Sequence, residues 1–182
     1  MHFRRRRQAF RLAPRARGRL ILDLAIRSME HGDVDAVLLL FDAVAAERTW
    51  IGTEPGYDRA AYKRTWEAGV RDPRVLLLVA SQAESVVGHL AVYPDPEGFL
   101  VGMLVAQDVR GRGIGTALLT RAFAWARVHD VRALHLDVFP HNTAAIALYR
   151  KMGFTGEELH VARMRRQNGE AWDVLQMRKD FL

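Results

Sequence analysis

Residues 107–116 read QDVRGRGIGT and lie between a predicted strand that ends near Ala106 and a predicted helix that begins at Gly113. Arg110, Gly113 and Gly115 fit the pattern Arg/Gln-x-x-Gly-x-Gly/Ala. A glycine-rich turn of this kind exposes consecutive main-chain N–H groups at the positive end of a helix dipole, and glycine lets the backbone approach a ligand without a Cβ clash. The stretch therefore predicts a turn that binds a diphosphate.

Two other kinds of phosphate-binding turn do not fit this stretch. A P-loop would need Gly-Lys-Ser/Thr at its end, and none follows. The glycines at 111, 113 and 115 lack the G-x-G-x-x-G spacing of a dinucleotide-binding fingerprint. The preceding strands are also predicted to form a meander, whereas that fingerprint opens a βαβ unit.

Outward from this turn, the apolar pattern predicts a mixed α/β domain with the order βααβββαβαββ. The helix that follows the turn carries an apolar stripe covering about half its surface, which indicates burial against a sheet. We expect strands at 20–28, 75–80, 86–93, 99–106, 134–139, from 154 onward and at 172–177, and helices at 33–48, 58–70, 113–128 and 142–152, with Asp33 as an N-cap and Gly153 as a left-handed C-cap.

The formal charge of +6 comes from the amino terminus. Residues 1–19 contain eight arginines and no acidic residue, and residues 20–182 contain 19 basic and 21 acidic side chains. We expect 1–19 to be a disordered basic tail and 20–182 to be one folded domain. Nonspecific contact of the tail with a polyanion, or a targeting role, remains an alternative.

Several classes of site are disfavoured by composition. The chain has no cysteine, so a disulfide framework, a thiolate metal site and a cysteine nucleophile are excluded. Its seven histidines lack paired ligand spacing, and no apolar run approaches 20 residues. We expect a cytoplasmic protein with no metal, no membrane contact and no specific nucleic-acid partner. A homodimer stays open.

A second motif lies about 27 residues after the glycine-rich turn. Residues 142–154 read NTAAIALYRKMGF. Together the two motifs resemble those of the GNAT (GCN5-related) N-acetyltransferases, and the resemblance extends over residues 20–180. It implies the acyl-CoA N-acyltransferase fold, an α/β (α+β) domain with a mixed, mostly antiparallel sheet of about seven strands and flanking helices.

The resemblance also implies acetyl-CoA as cosubstrate and a set of residues that bind it. The strands at 99–106 and 134–139 would splay apart, and the pantetheine arm would lie in the gap like an extra strand. The residues implied to bind the cosubstrate are Met103, Leu104, Val105, Arg110, Gly111, Arg112, Gly113, Ile114, Gly115, Thr116, Asn142 and Tyr149.

Tyr149 matches the family's tyrosine that gives a proton to the departing thiolate. A phenol with an ordinary pKa of about 10 is protonated at neutral pH and can serve as an acid. Three carboxylates are candidates for the base that takes the amine's proton: Asp137, Glu97 and Glu54. Asp137 corresponds to a glutamate of the ribosomal-protein N-terminal acetyltransferases and is one methylene shorter.

The predicted reaction is direct transfer of an acetyl group from acetyl-CoA to a primary amine of a small molecule or peptide. The alternative is a regulatory module that binds an acyl-CoA without catalysis. We expect the acceptor to be chosen by the loops at 48–63 and 159–170. Arg163, Arg165 and Arg166 in the second loop would favour an acidic acceptor, and a solvated basic loop is the alternative.

Overall fold

The computed structural model describes residues 24–181, so the predicted basic tail and the first part of the predicted strand at 20–28 lie outside the described residues. Its elements in chain order are β1 (Ala25–Ser28), α1 (Val34–Ala46), α2 (Arg59–Gly69), β2 (Leu76–Gln82), β3 (Ser85–Asp95), β4 (Gly98–Val105), α3 (Ile114–Val128), β5 (Ala133–Val138), α4 (Thr143–Lys151), β6 (Gly156–Arg165) and β7 (Ala171–Asp180). The predicted order and fold class are confirmed.

The strands form one seven-stranded sheet with the spatial order β1-β2-β3-β4-β5-β7-β6. Neighbouring strands are antiparallel except for β4 and β5, which are parallel. β4 pairs with β3 along its whole length, but it meets β5 only at Phe99 with Leu134 and at Leu100 with His135. The sheet is therefore split between β4 and β5 beyond Leu100, as the resemblance implied.

Each face of the sheet is covered by one pair of helices. α3 and α4 pack on one face, where Leu118, Leu119 and Ala122 of α3 are completely buried against side chains such as Leu90 of β3 and Leu136 of β5. Burying a leucine of this kind stabilises the fold by roughly 1.5–3 kcal/mol. The broad apolar stripe of α3 thus has the buried location that its width predicted.

α1 and α2 cover the opposite face, over β2, β3 and the end of β4. Val37 and Leu38 of α1 are fully buried there with Val79 of β2, and the buried Trp66 of α2 belongs to the same hydrophobic cluster. The two helix pairs hold β4 from both sides. The split beside β4 therefore lies between two packed hydrophobic clusters.

One local prediction was confirmed in part and another was wrong. Asp33 is the N-cap residue of α1, but its side chain makes no cap bond to that helix, because its carboxylate accepts hydrogen bonds from Arg27 and from the Glu30 main chain. The segment at 159–170, expected to be a loop, is mostly strand β6 followed by a short turn into β7. Within residues 24–181, no helix is both long and apolar enough to cross a membrane.

Candidate active site

The glycine-rich stretch forms the connection from β4 to α3. A short 3₁₀ turn at 107–109 follows the strand, and α3 then starts directly after Gly113. Gly111 and Gly113 have φ values of +74° and +85°, in the left-handed region that favours glycine. A Cβ atom added at either glycine would meet no atom within 4 Å, so the backbone is open to an approaching ligand.

Six consecutive main-chain N–H groups in this turn are unpaired. Within residues 24–181, none of the N–H groups of residues 111–116 has a hydrogen-bond acceptor, and the first one bonded is that of Ala117, which donates to the Gly113 carbonyl at 3.0 Å. These donors lie at the positive end of the α3 dipole. The arrangement suits an anion with several oxygens, such as a diphosphate.

The Arg110 side chain is bonded within the protein. Its Nε donates to the Val105 carbonyl at 3.0 Å, and its two terminal nitrogens donate to the Glu47 carboxylate. Its guanidinium carbon also lies 5.8 Å from the centre of the Trp50 ring. The sequence predicts that Arg110 binds the cosubstrate, and in the structure its guanidinium contacts Glu47, directly after α1, and Val105 of β4.

The turn, the split strand and α4 meet at Gly115. A Cβ atom at Gly115 would lie 2.9 Å from Cδ2 of Leu148 and 3.3 Å from Cε of Met103. A side chain at Gly115 would therefore press against the ends of the Leu148 and Met103 side chains, where the first turn of α3 lies close to β4 and α4. The segment Met103, Leu104 and Val105 borders the split, because β4 has no partner on β5 beyond Leu100.

α4 carries Tyr149 and begins at Asn142. The Asn142 Oδ1 accepts a hydrogen bond from the Ala145 N–H at 3.2 Å, which makes Asn142 the N-cap. Tyr149 is only 8% exposed and packs edge-on against Phe154. Burial raises the pKa of Tyr149 to about 12, and its hydroxyl makes no hydrogen bond to any described residue. The phenol therefore holds its proton at neutral pH.

The three candidate bases lie in different surroundings. Asp137 is exposed on β5, past the point where β4 and β5 stop pairing, and its carboxylate has no ion pair within the described part of the chain. Glu97 is exposed in the turn before β4. That turn is at the opposite end of β4 from the glycine-rich turn, about 23 Å away at a rise of ~3.3 Å per residue.

Glu54 is buried and its carboxylate is occupied. Its Oε1 lies 3.3 Å from Arg48 and 3.5 Å from Arg166, and its Oε2 accepts a hydrogen bond from the Gln167 N–H at 2.7 Å. These contacts join the α1–α2 loop to the β6–β7 turn. The structure thus gives Glu54 a structural position and brings only Asp137 to the split.

Arg166 is the main feature that sequence reasoning missed. Its side chain is 2% exposed and lies over the Trp172 ring at 4.3 Å. It donates to the main-chain carbonyls of Arg48, Ile51 and Gly52 at 3.0–3.1 Å. Arg166 therefore holds the α1–α2 loop in place and is neither a solvated side chain nor one that faces an acceptor, whereas Arg163 and Arg165 are exposed.

Two histidines, one on β5 and one just before α4, are held by contacts within the protein. His135 is buried on β5, and its Nε2 lies 3.3 Å from the Asp95 carboxylate. His141, just before the Asn142 cap, donates from Nε2 to the Thr49 carbonyl at 2.8 Å. Among the described residues there is no group of three or more His, Asp or Glu side chains that could hold a metal ion.

Comparison with known proteins gives consistent results. A family model described as "Acetyltransferase (GNAT) family" matches residues 40–154. An L-methionine sulfoximine/L-methionine sulfone acetyltransferase of Pseudomonas paraeruginosa is 28% identical over 140 residues, which is 73% of this chain and 81% of that protein.

Two solved structures have the same fold. A ribosomal-protein-alanine N-acetyltransferase from Brucella melitensis superposes with a TM-score of 0.78 at 28% identity, covering 87% of this chain and 100% of that chain. A phosphinothricin acetyltransferase from Sinorhizobium meliloti, solved in complex with acetyl-CoA, superposes with a TM-score of 0.77 at 17% identity, covering 87% and 88%.

Proposed function

The chain belongs to the acetyltransferase (GNAT) family, and we propose that it transfers an acetyl group from acetyl-CoA to the primary amine of a small molecule. One observation carries the proposal. Six unpaired N–H groups at the start of α3 lie beside a split in the sheet, and a buried, protonated tyrosine stands on the helix that borders the same split.

In this proposal the N–H groups of residues 111–116 bind the diphosphate of acetyl-CoA. The fit rests on their number, on their lack of other acceptors and on the open space beside Gly111 and Gly113. The pantetheine arm then lies in the split, bonded to the main chain of Met103, Leu104 and Val105 as an added strand would be. Asn142 contributes its amide N–H groups, since its Oδ1 is used in capping α4.

The transfer forms a C–N bond and breaks the C–S bond of the thioester. Tyr149 gives its hydroxyl proton to the leaving sulfur, because burial keeps that hydroxyl protonated. Asp137 takes the proton of the amine, directly or through a water molecule, because its carboxylate is the one candidate base near the split without a partner among residues 24–181. No covalent enzyme intermediate is needed.

A small amino-acid-like amine is the acceptor class that we favour. The Pseudomonas relative is named for two amino-acid derivatives and matches most of this chain. The Brucella neighbour is named for an alanine of a ribosomal protein, so an amine of a peptide is the second candidate. Both acceptors present an amine on a short polar molecule or chain end.

An acceptor panel tests this proposal. Purified protein is incubated with acetyl-CoA and amino-acid analogues, polyamines or N-terminal peptides, and CoA release and acetylated products are followed by mass spectrometry. We expect one amine of the amino-acid class to be acetylated, with a large loss of rate in Tyr149→Phe. If acetyl-CoA binds tightly and no acceptor gives turnover, the chain is a binding module and the proposal is wrong.

A further inference from the structure

Glu47, the residue that directly follows α1, makes three hydrogen bonds that its position in the sequence does not suggest. Its Oε2 accepts from Arg110 at 2.7 Å and from the Trp50 indole at 2.6 Å, and its Oε1 accepts from Arg110 at 2.5 Å. The pair is half-buried, with the Glu47 side chain 19% exposed and the Arg110 side chain 31% exposed. The Arg110 hydrogen bonds hold the pKa of Glu47 below its usual value, so the carboxylate stays ionised.

Arg110 connects Glu47 to the glycine-rich turn. The same guanidinium bonds the Val105 carbonyl at the end of β4, so that one side chain joins α1, β4 and the turn. The next residues include Gly111 and Gly113, whose backbones have more conformational freedom than other residues. A fixed Arg110 therefore restricts the segment that presents the unpaired N–H groups.

The negative charge of Glu47 bears on how Arg110 contributes to diphosphate binding. A carboxylate beside a turn that binds a diphosphate repels the ligand, and this carboxylate also engages the Arg110 side chain of that turn. If the Arg110 side chain bound the diphosphate, its bidentate contact with Glu47 would weaken that binding. The bidentate geometry and the third bond from Trp50 instead indicate a built structural link.

We propose that Glu47 is a positioning residue for the acetyl-CoA site and acts through Arg110. The inference rests on the proposed function, since it concerns the same turn. Glu47 holds Arg110, Arg110 holds the end of β4 and the turn, and the N–H groups of residues 111–116 are thereby set in place before the diphosphate arrives. The contribution is pre-organisation and outweighs the repulsion between the two anions.

Two variants and their combination test the link. Glu47→Ala and Arg110→Ala should each raise the dissociation constant for acetyl-CoA by about tenfold, the size expected when a charged hydrogen-bonded pair is lost. The dissociation constant of the double variant should exceed that of either single variant by no more than about twofold, because both substitutions remove the same link. In Glu47→Ala the loss should lie in the KM for acetyl-CoA more than in kcat at saturating acetyl-CoA, because Glu47 is argued to act only through Arg110.

Glu47→Gln gives a second readout. It removes the charge and keeps an oxygen that can accept from Arg110, so we expect a smaller rise in the dissociation constant, about threefold. Asp33→Ala is the matched control, because Arg27 and Asp33 form a similar bidentate pair with side chains 43% and 14% exposed, at β1 and away from the turn. Asp33→Ala should lower Tm about as much as Glu47→Ala does, without changing the affinity for acetyl-CoA.

The result that overturns the inference is a Glu47→Ala or Glu47→Gln protein that binds acetyl-CoA as tightly as the unaltered protein or more tightly. That result would mean that the charge of Glu47 only opposes binding. An equal loss of affinity in Asp33→Ala would overturn it as well. If the unaltered protein does not bind acetyl-CoA, the proposed function itself fails, and calorimetry on that protein distinguishes the two failures.

Discussion

Replacing Tyr149 by phenylalanine removes one oxygen atom and leaves the ring contacts in place. The hydroxyl has no hydrogen-bond partner among the described residues, so its loss leaves no buried group unsatisfied. We therefore expect the Tm of Tyr149→Phe to change by no more than about 4 °C, equivalent to roughly 1 kcal/mol in a chain of this size. The edge-on contact with Phe154 is retained.

The effect on catalysis should be far larger. A positioned general acid contributes about 10²- to 10⁴-fold to the rate, so kcat should fall by that amount while the KM for acetyl-CoA changes little. Because burial raises the pKa of Tyr149 to about 12, the unaltered enzyme should show no fall in kcat attributable to this group up to about pH 11. A tyrosine with an ordinary pKa of about 10 would already be half ionised at pH 10.

The assay is steady-state CoA release between pH 6 and about pH 10.5, with thermal unfolding measured on the same samples. Tyr57→Phe is the control for removal of a hydroxyl: it loses a 2.6 Å bond to Asp42, so Tm should fall while kcat is retained. A Tyr149→Phe enzyme with kcat within about twofold of the unaltered one would refute the role of Tyr149 as the acid.

Three further perturbations have expected outcomes. Gly113→Ala forces a Cβ into a left-handed residue, so Tm should fall by about 2–8 °C and acetyl-CoA affinity by at least about tenfold, as measured by thermal unfolding and calorimetry. Arg166→Met leaves three main-chain carbonyls without their donor and removes one of the two arginines beside the buried Glu54 carboxylate, so it should destabilise the fold by about 3–5 kcal/mol. Arg165→Met, at an exposed position, should change stability by less than about 0.5 kcal/mol. Burial lowers the pKa of His89 to about 4, so between pH ~6.5 and pH 4 the unfolded chain binds a proton at this histidine that the folded chain does not. Roughly 3 kcal/mol of stability should therefore be lost as the pH falls from 6.5 to 4. Denaturant titrations should show that the stability of His89→Gln depends less steeply on pH over this range.

The features that were predictable from the sequence are those set by neighbouring residues. The burial of α3 follows from the width of its apolar stripe, and the limits of α4 follow from the Asn142 cap and the left-handed Gly153. The glycine-rich turn was predictable because the left-handed backbone of Gly111 and Gly113 depends on the absence of their own Cβ atoms.

The features that were not predictable depend on residues brought together by the topology. Glu47 meets Arg110 across 63 positions, and Arg166 meets the α1–α2 loop across 114–118 positions. Strand β6 was taken for part of a loop because it is an edge strand with little buried surface and an irregular register near Ala162, so it lacks the apolar alternation of an interior strand.

We propose that main-chain N–H groups at the start of α3 bind the diphosphate of acetyl-CoA. Calorimetry with acetyl-CoA and with S-acetylpantetheine, which has the thioester arm but no diphosphate, tests it most directly. We predict clear binding of acetyl-CoA and affinity at least about a hundredfold weaker for S-acetylpantetheine, since the ionic hydrogen bonds are lost. Equal affinity for the two compounds, or no binding of acetyl-CoA, would contradict the account.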